Sequence, residues 1–441
     1  MWFLLACTPS VVESSPAPPL EVAWSKQRSA FTEISPGGRA WRRGIIHLHS
    51  HYSHDACDGA PMPGGVPDEN CLQDLRNGLC QSAMDFAFIT DHPSYAAEQS
   101  YADLLLNRGD DTVVEGIANA IDCGDGHVVL TMPGIEDELM PVGLERQVSE
   151  DAAENDRIYN NSDTEAITAD IAAGAIVLQA HTESKSEEDL LARQAAGLSG
   201  VELFNLHAML DPDIRKESLG LDPMGYLSAI APFLADDADA VPDLGFLAIY
   251  QEQSVSIHKW LMLSANAPVT ATAGTDAHQN VLPGPLSDGE RFDSYRRMMS
   301  LFSNVLLVEG DGPQHYKAAL KAGRNFVIFE VLGTPTGLEV SYGGQEAGGA
   351  GPTGQVFHVT CPTLAPTSPQ MGEAPEISVT LYKGEEIYQQ GCGDYTLNEP
   401  GLYRVRIDIV PHHLLSFLGS QSQYADQSFP WIYSNIFRVG G

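Results

Sequence analysis

The sequence predicts an α/β barrel followed by a smaller all-β domain. In the first three quarters of the chain, short β-branched or apolar runs alternate with longer helix-like stretches, which is typical of β/α units around a parallel sheet. From about residue 333, glycine and proline punctuate runs in which apolar and polar residues alternate. A chain of 441 residues is also longer than a single domain with one hydrophobic core usually is. We therefore expect a leader and tether over residues 1–39, a barrel over 40–332 and a sandwich-like domain over 333–441.

The N-terminus carries a short apolar segment that ends in Leu4-Leu5-Ala6-Cys7, the form of a bacterial lipobox whose cysteine is lipidated after cleavage. Because only six residues precede Cys7, we expect the true start of the signal to lie upstream of this sequence. The Ser- and Pro-rich residues 8–19 fit a tether. No later stretch is long and apolar enough to span a bilayer. The predicted location is the cell envelope, outside the cytoplasm, with membrane attachment only through Cys7. The alternative is an apolar N-terminus with a chance cysteine.

Seven runs between the tether and residue 308 are predicted to be strands, because each is short, apolar or β-branched and bounded by polar or turn residues. They are residues 44–49, 85–90, 127–132, 175–180, 200–205, 269–274 and 304–308. A further run, 325–329, is an eighth strand or the bridge to the next domain. Helix-like stretches lie between them, such as 187–196 with its acidic first turn and 256–265.

Histidine or a carboxylate stands at or just beyond the end of six of these runs. The residues are His47 and His49, then Asp91 and His92, Glu136, His181, His207, and Asp276 with His278. In a β/α barrel the strand ends share one face, where active sites are built. A single histidine after a strand is usually structural, but six such strand ends predict one shared site.

The residue types at these strand ends predict a metal site. Alternation along a strand points His47 and His49 in the same direction, so both can bind one cation. Neutral imidazole and carboxylate ligands suit Zn, Mn or Fe, and a carboxylate such as Glu136 can bridge two cations. A water shared by the cations would have its pKa lowered toward neutrality, which provides a hydroxide nucleophile.

Five motifs, in this order, resemble those of the PHP (polymerase and histidinol phosphatase) superfamily over residues 40 to 330. They are His47-Leu48-His49, Thr90-Asp91-His92, Gly134-Ile135-Glu136, Ala180-His181 and Gly274-Thr275-Asp276-Ala277-His278. The resemblance implies a distorted seven-stranded β/α barrel. It also implies a site of two or three divalent cations that hydrolyses phosphate esters.

The resemblance further implies the ligands of three cations. The first takes His47, His49, Glu136 and Asp276, the second Glu136, His181 and His207, and the third Asp55, His92 and His278. His54 and Asp58 remain alternatives to Asp55, because the spacing after the first motif varies. Asn205 remains an alternative to His207.

The predicted function is metal-dependent hydrolysis of a small phosphorylated substrate, with Glu136, Asp276 and His278 as the catalytic residues. One alternative is a surface lipoprotein that holds metals without turnover. Another is a metal-dependent amidohydrolase, many of which bridge two metals through a mid-barrel lysine. No lysine occurs between Lys26 and Lys185, which weakens this alternative.

The charge balance excludes a nucleic-acid clamp. With 24 Lys and Arg against 59 Asp and Glu, the net charge is −35, and such a surface repels DNA and anionic lipid. An anionic substrate therefore needs local positive charge, which bound cations can supply. Lys185 and Arg291 are the side-chain candidates for the same task.

The C-terminal region is predicted to be antiparallel strands that form either a ligand or glycan module or a structural cap on the barrel. The cap is favoured, because no aromatic platform or charged cluster stands out. His412 and His413 follow a proline and are expected to be solvated.

The cysteines indicate an oxidising compartment. Without Cys7 an even number remains, six, which can pair fully outside the cytoplasm. Cys361 and Cys392 are the pair in the C-terminal region and are predicted to be joined.

Overall fold

The structure is a computed structural model that describes residues 21–124 and 126–440. Cys7 and most of the predicted tether lie outside the described residues. In the predicted barrel region the strands are β1 Ala40–Leu48, β2 Phe86–Asp91, β3 Thr112–Val114, β4 Ala118–Asp122, β5 Val128–Ile135, β6 Met140–Val142, β7 Ile176–Gln179, β8 Gly200–Asn205, β9 Thr270–Ala277, β10 Ser303–Val308 and β11 Asn325–Ile328.

Short and medium helices connect these strands. The α-helices are α1 Ala56–Gly59, α2 Glu69–Gln81, α3 Pro93–Ala96, α4 Tyr101–Leu104, α5 Ala152–Tyr159, α6 Thr164–Ala172, α7 Glu187–Ala196, α8 Pro212–Glu217, α9 Gly225–Leu234, α10 Ser254–Asn266, α11 Tyr295–Met299 and α12 Pro313–Lys321. The 3₁₀ helices are Pro63–Gly65, Thr182–Ser184, His207–Met209, Pro242–Ala248, Glu330–Leu332, His412–Phe417 and Gly419–Asp426.

Seven strands close into a barrel in the order β1-β2-β5-β6-β7-β8-β9, and β9 pairs with β1. All neighbours are parallel except β6, which is antiparallel to both β5 and β7. Alternation divides the buried side chains of β1 and β2 between two faces: Ile45 and Ala87 join one apolar cluster, and Ile46 and Phe88 join the other. The predicted α/β barrel is thus confirmed.

Three strands of the barrel region, β3, β4 and β6, were not predicted, and one predicted strand lies outside the barrel circuit. The predicted run 304–308 is β10, which lies outside the barrel circuit and pairs antiparallel with the first half of β1, from Ala40↔Val308 to Gly44↔Asn304. The seventh barrel strand is instead β6, which we did not predict. Gly134 of β5 lets β6 approach, because a Cβ there would lie 2.8 Å from the carbonyl oxygen of Pro141.

The C-terminal region is all-β, as predicted. Its strands are β12 Pro335–Thr336, β13 Val340–Tyr342, β14 Ala350–Gly351, β15 Gln355–Val359, β16 Thr363–Leu364, β17 Glu376–Lys383, β18 Glu386–Gln390, β19 Gly393–Leu397, β20 Gly401–Val410, β21 Phe429–Ser434 and β22 Phe437–Val439. The three-stranded sheet β13-β15-β19 faces a larger sheet that contains β20 and β22. Phe357 of the smaller sheet meets Phe437 of the larger one edge-on, with ring centroids 5.0 Å apart. The arrangement is sandwich-like.

The larger C-terminal sheet is continuous with the barrel strands. In the order β18-β17-β20-β21-β11-β10-β1, each strand pairs antiparallel with the next.

His413 was expected to be solvated, and this was wrong. It is 1% exposed, because the 3₁₀ turn after β20 packs its ring against the barrel side, where Nε2 lies 3.2 Å from the carbonyl oxygen of Leu332.

Three disulfides join Cys57 to Cys71, Cys80 to Cys123 and Cys361 to Cys392. The predicted Cys361–Cys392 pair is confirmed. Three disulfides indicate an oxidising, extracytoplasmic environment. Among the described residues, no helix combines the length and the apolar character needed to cross a bilayer.

Candidate metal centre

The backbone bends sharply where three of the barrel strands reach the site. His47, His181 and Asp276 have φ of 77°, 49° and 53°, in the left-handed region that side chains with a Cβ seldom adopt. The register between β1 and β9 also shifts between Ile46 and Leu48. Such strain at several neighbouring strand ends persists only where the surrounding structure enforces it, and it concentrates at functional sites.

The Asp276 carboxylate is central to a group of histidines. Its Oδ1 lies 3.1 Å from His47 Nε2 and 3.1 Å from His49 Nε2. Its Oδ2 lies 3.3 Å from His181 Nε2 and 3.9 Å from His207 Nδ1. The ends of β1, β7, β8 and β9 therefore meet at one carboxylate.

Glu136, at the end of β5, connects this group to a second one. Its Oε1 lies 3.7 Å from His181 Nε2, and its Oε2 lies 3.1 Å from His92 Nδ1. On the far side of His92, Asp55 Oδ1 is 3.7 Å from His92 Nε2 and 3.4 Å from His278 Nε2. All nine residues predicted as ligands are thus brought to one end of the barrel.

Several ligand atoms in this cluster are buried but have no hydrogen-bond partner. They are His47 Nε2, His49 Nε2, His278 Nε2 and Asp55 Oδ1. Buried polar atoms are nearly always satisfied, so a concentration of exceptions at one place needs an explanation. Ligands about 2.1 Å from a shared cation lie about 3.0 to 3.4 Å from each other in octahedral or tetrahedral geometry. The separations of Asp276 from His47, His49 and His181 match this range, so these residues fit a divalent cation, whereas His207 lies farther away at 3.9 Å.

Four overlapping groups of the described residues bring three ligand atoms close together. They are His47-His49-Glu136, His47-His181-Asp276, His49-His92-His278 and His54-Asp55-His92, with the ligand atoms of each group within 4.8 Å of one another. His49 and His278 stack with ring centroids 3.7 Å apart, which brings the first and third predicted ligand sets side by side.

Burial and neighbouring charges shift the pKa values of these groups in opposite directions. Burial lowers the pKa of His49 well below its usual value, and burial also lowers that of His278, so both imidazoles are neutral as metal ligation requires. Burial opposes protonation of His47 too, but Asp276 and Glu202 raise its pKa well above the ordinary value. Despite its burial, Asp276 has a pKa held well below its usual range by His47 and the other imidazoles. Without cations, protons occupy part of the site and compete with metal binding.

Glu202, in the middle of β8, positions two of the histidines. Its Oε1 lies 2.7 Å from His47 Nδ1, and its Oε2 accepts the backbone N–H of His181 at 2.9 Å. A carboxylate on the far nitrogen fixes the tautomer and orientation of an imidazole ligand. Gly274 makes the contact possible, because a Cβ at this position would lie 1.9 Å from Glu202 Oε1.

The structure bears on the alternatives for two predicted ligands. Asp58 forms an ion pair with Arg291, with Oδ1 2.8 Å from Nη2, and points away from the histidines. His54 is exposed and touches the cluster through His92, with ring centroids 5.1 Å apart. The buried Asn205 already donates to Glu202 Oε2 at 3.0 Å, and its Oδ1 accepts a backbone N–H. Asp55 belongs to one of the four groups, whereas His207 belongs to none of them, so the choice of His207 over Asn205 stays a prediction.

Sequence reasoning missed Glu202 and also Glu183. Both carboxylate oxygens of Glu183 are buried without a partner, and Oε1 lies 3.6 Å from His181 Nδ1. A charged residue within an apolar strand was the available signal for Glu202. The two predicted anion-binding side chains are engaged elsewhere: Lys185 Nζ lies 3.1 Å from Glu138 Oε2, and Arg291 binds Asp58.

No protein-family model matches the chain, and no curated protein matches it. A solved two-domain protein from Bacteroides vulgatus, described as containing a predicted PHP-like metal-dependent phosphoesterase, aligns with 92% of this chain and 99% of its own. The identity is 10% and the TM-score 0.37.

Proposed function

We propose that the protein is a metal-dependent phosphoesterase. The observation that carries the proposal is the concentration of buried imidazole and carboxylate atoms without partners at the end of the barrel. The ordered motifs that resemble the PHP superfamily point to phosphate esters as the substrate class. The chain's histidines and carboxylates would hold two or three divalent cations, with Zn, Mn and Fe as candidates.

The cation positions follow the three predicted ligand sets. His47, His49, Glu136 and Asp276 would form the first, Glu136, His181 and His207 the second, and Asp55, His92 and His278 the third. When bound, divalent cations at such a site lower the pKa of coordinated water and stabilise charge on phosphoryl oxygens. Glu202 orients His47, and Glu183 is placed to orient His181. Glu136 and Asp276 connect the ligand sets, and with His278 they are the proposed catalytic residues.

The charge of the chain supports a small substrate whose phosphate is neutralised by the cations. The net charge of −35 opposes any large anion. Lys185 and Arg291 are neutralised by Glu138 and Asp58. The bound cations therefore supply the positive charge that a phosphate ester requires.

We place the enzyme in the cell envelope, anchored through a lipid on Cys7. The three disulfides support the oxidising compartment. A chain extended upstream to include a complete signal should label with palmitate and partition into detergent. Cys7→Ser should abolish both, whereas unlabelled, detergent-independent wild-type protein contradicts the anchor.

The activity is tested on chelator-stripped protein reloaded with Zn, Mn or Fe, after which the metal content is measured by mass spectrometry. The reloaded protein should hold two or three ions and hydrolyse members of a panel of phosphomonoesters, phosphodiesters and nucleotides. Amide and lactone substrates in the same assay serve as the comparison. Turnover of these alone supports an amidohydrolase, and bound metal without any turnover supports a binding protein.

A further inference from the structure

A pocket of about 230 Å³ lies beside the candidate metal centre, between the segment that follows β8 and the loop that follows β9. Its inner wall consists of Ile230, Phe246, Phe292 and Met298, which are all buried. At its rim, the apolar side chains of Leu227 and Val281 are 43% and 44% exposed. Large apolar side chains left in water around a concave apolar wall are typical of a ligand site.

Among the described residues that line the pocket, no charged side chain lacks a partner. The charged side chain there is Asp293, whose carboxylate accepts the backbone N–H of Val281 at 2.7 Å. It also accepts Arg291 Nε at 2.6 Å. Because these donors already satisfy the carboxylate, the Tyr226 hydroxyl is the polar side-chain group that the described lining leaves to a ligand, and the other lining side chains are apolar. A group with several hydroxyls buried there would lose most of its hydrogen bonds to water without replacement.

The pocket lies at the same end of the barrel as the histidines. Strands β8 and β9 are parallel neighbours, so the chain leaves both of them on one side. Leu210, which lines the pocket, donates its backbone N–H to the carbonyl oxygen of His207 at 2.8 Å. Val281 follows His278 by three residues. The connection after β8 is long and carries helices α8 and α9, and such connections commonly serve binding.

We propose that this pocket binds the apolar part of the substrate, which makes the substrate a phosphate ester of an alcohol bearing an aryl ring or a short alkyl chain. The phosphate half of this inference rests on the proposed function, and the apolar half rests on the pocket. A cavity of about 150 Å³ lined by aliphatic and aromatic side chains accepts benzene. A volume of about 230 Å³ therefore accommodates a phenyl ring with a short substituent.

The first test measures the pocket alone, by isothermal titration of the full-length protein with toluene, a neutral probe of the size that the pocket accommodates. Wild-type protein should bind the probe, and Leu227→Asn and Val281→Asn should each raise its Kd at least five-fold. Both positions are exposed, so the substitutions should not disturb folding. Leu191→Asn is the matched control, because Leu191 on α7 is 38% exposed and lies outside the pocket lining. Equal probe binding by all four proteins overturns the inference.

The second test measures the hydrolysis of methyl, propyl and pentyl phosphate by the metal-loaded enzyme. Burial of one methylene is worth roughly a four-fold change, so kcat/KM should rise by roughly that factor per added carbon. The double variant Leu227→Asn/Val281→Asn should flatten this rise, whereas Leu191→Asn, which lies outside the pocket lining, should keep it.

The two tests separate the inference from the proposed function. Hydrolysis that is independent of chain length overturns the apolar-substrate inference and leaves the phosphoesterase proposal standing. Probe binding that responds to the pocket variants, with no phosphate ester hydrolysed, overturns the phosphoesterase proposal and supports an apolar ligand for the pocket.

Discussion

Both ends of β1 bury charged or titratable groups. The group near the start of the strand has all its hydrogen-bond partners, whereas the groups at its end lack them. Near the start of the strand, Arg43 donates to both carboxylate oxygens of Glu330 at 2.8 Å, and its remaining nitrogen donates to the carbonyl oxygen of Ser29 at 2.8 Å. At the other end, His47 Nε2 and His49 Nε2 are equally buried and have no hydrogen-bond partner. A buried group with all its partners present serves the fold, whereas a set of buried ligand atoms without partners indicates a site for an ion.

The largest expected effect is on stability, at the paired end. Glu330→Gln leaves the buried Arg43 guanidinium without its counter-charge, and removing one partner of a buried pair costs about 3 to 5 kcal/mol. We expect the free energy of unfolding, measured by urea denaturation, to fall by this amount. Metal content measured on folded protein should stay unchanged.

Glu309→Gln is the control for this change, because Glu309 pairs with Arg39 at the surface and is 57% exposed. Its removal should leave the denaturation midpoint nearly unchanged. A Glu330→Gln protein as stable as wild type would show that the buried Arg43–Glu330 pair does not stabilise the fold.

The next effect concerns metal and activity, at the unpaired end. Glu136→Gln removes one negative charge and one ligand oxygen with little change in volume. We expect metal content to fall by more than one ion and the hydrolysis rate to fall roughly a hundred- to a thousand-fold, equivalent to about 3 to 4 kcal/mol.

Asp137→Asn is the matched control for Glu136→Gln, since Asp137 is the partly exposed next residue and is assigned to solvent. It should be nearly silent in both assays. Full metal content and full rate in Glu136→Gln would contradict the proposed centre.

A smaller effect is expected from the residue that supports the site. Glu202→Gln weakens the contact that orients His47, and loss of such a partner lowers metal affinity by about 10- to 100-fold. Competition with a fluorescent chelator measures the affinity. Glu188→Gln, on the exposed face of α7, removes the same charge and should not change it. If the metal affinity of Glu202→Gln equals that of wild type, Glu202 does not orient His47 for metal binding and only fills space in the barrel.

The smallest effect tests a buried carboxyl that has no metal-ligating neighbours. Asp170 on α6 is 2% exposed, its Oδ1 has no partner, and burial raises its pKa to about 8. The folded state therefore holds this proton up to about pH 8, whereas the unfolded chain loses it near its ordinary value of about 4. Stability falls as the pH rises through this interval, because the folded state binds more protons than the unfolded state.

Asp170→Asn removes this dependence. The Tm of the variant should be close to that of wild type at pH 4 and should exceed it by a growing margin up to pH 8. The exposed Asp237→Asn makes the same charge change and serves as the control. A pH-independent difference would show that Asp170 ionises in the fold as it does in the unfolded chain.

Periodicity predicted most barrel strands because each is a run of buried apolar residues long enough to be recognised. It could not predict β6, which has three residues including Pro141 and is stabilised by pairing with β5 just before it and with β7, which follows two helices later. It identified β10 as a strand but not its partner, since the pattern within a strand carries no information about neighbour or direction.

The candidate ligands could be recognised because strand ends in a barrel converge whatever the loops between them do. Glu202 was missed because it supports the site from within a strand, where its partner His47 lies 155 residues away. The pocket beside the site could not be predicted either. It is formed by residues between Leu210 and Met298, and only the packing of α9 against the loop after β9 brings them together.

Because the larger C-terminal sheet continues into the barrel strands, the C-terminal region cannot be removed without exposing part of the barrel region. Strand β21 covers the outer edge of β11 from Phe326↔Ser434 to Ile328↔Ile432, and the Trp431 indole donates to the carbonyl oxygen of Gly333 at 2.8 Å. A chain cut at residue 332 would expose this row of backbone donors and acceptors, a template for intermolecular pairing. The barrel therefore depends on the C-terminal strands to cover this edge, and we expect a barrel expressed without them to aggregate.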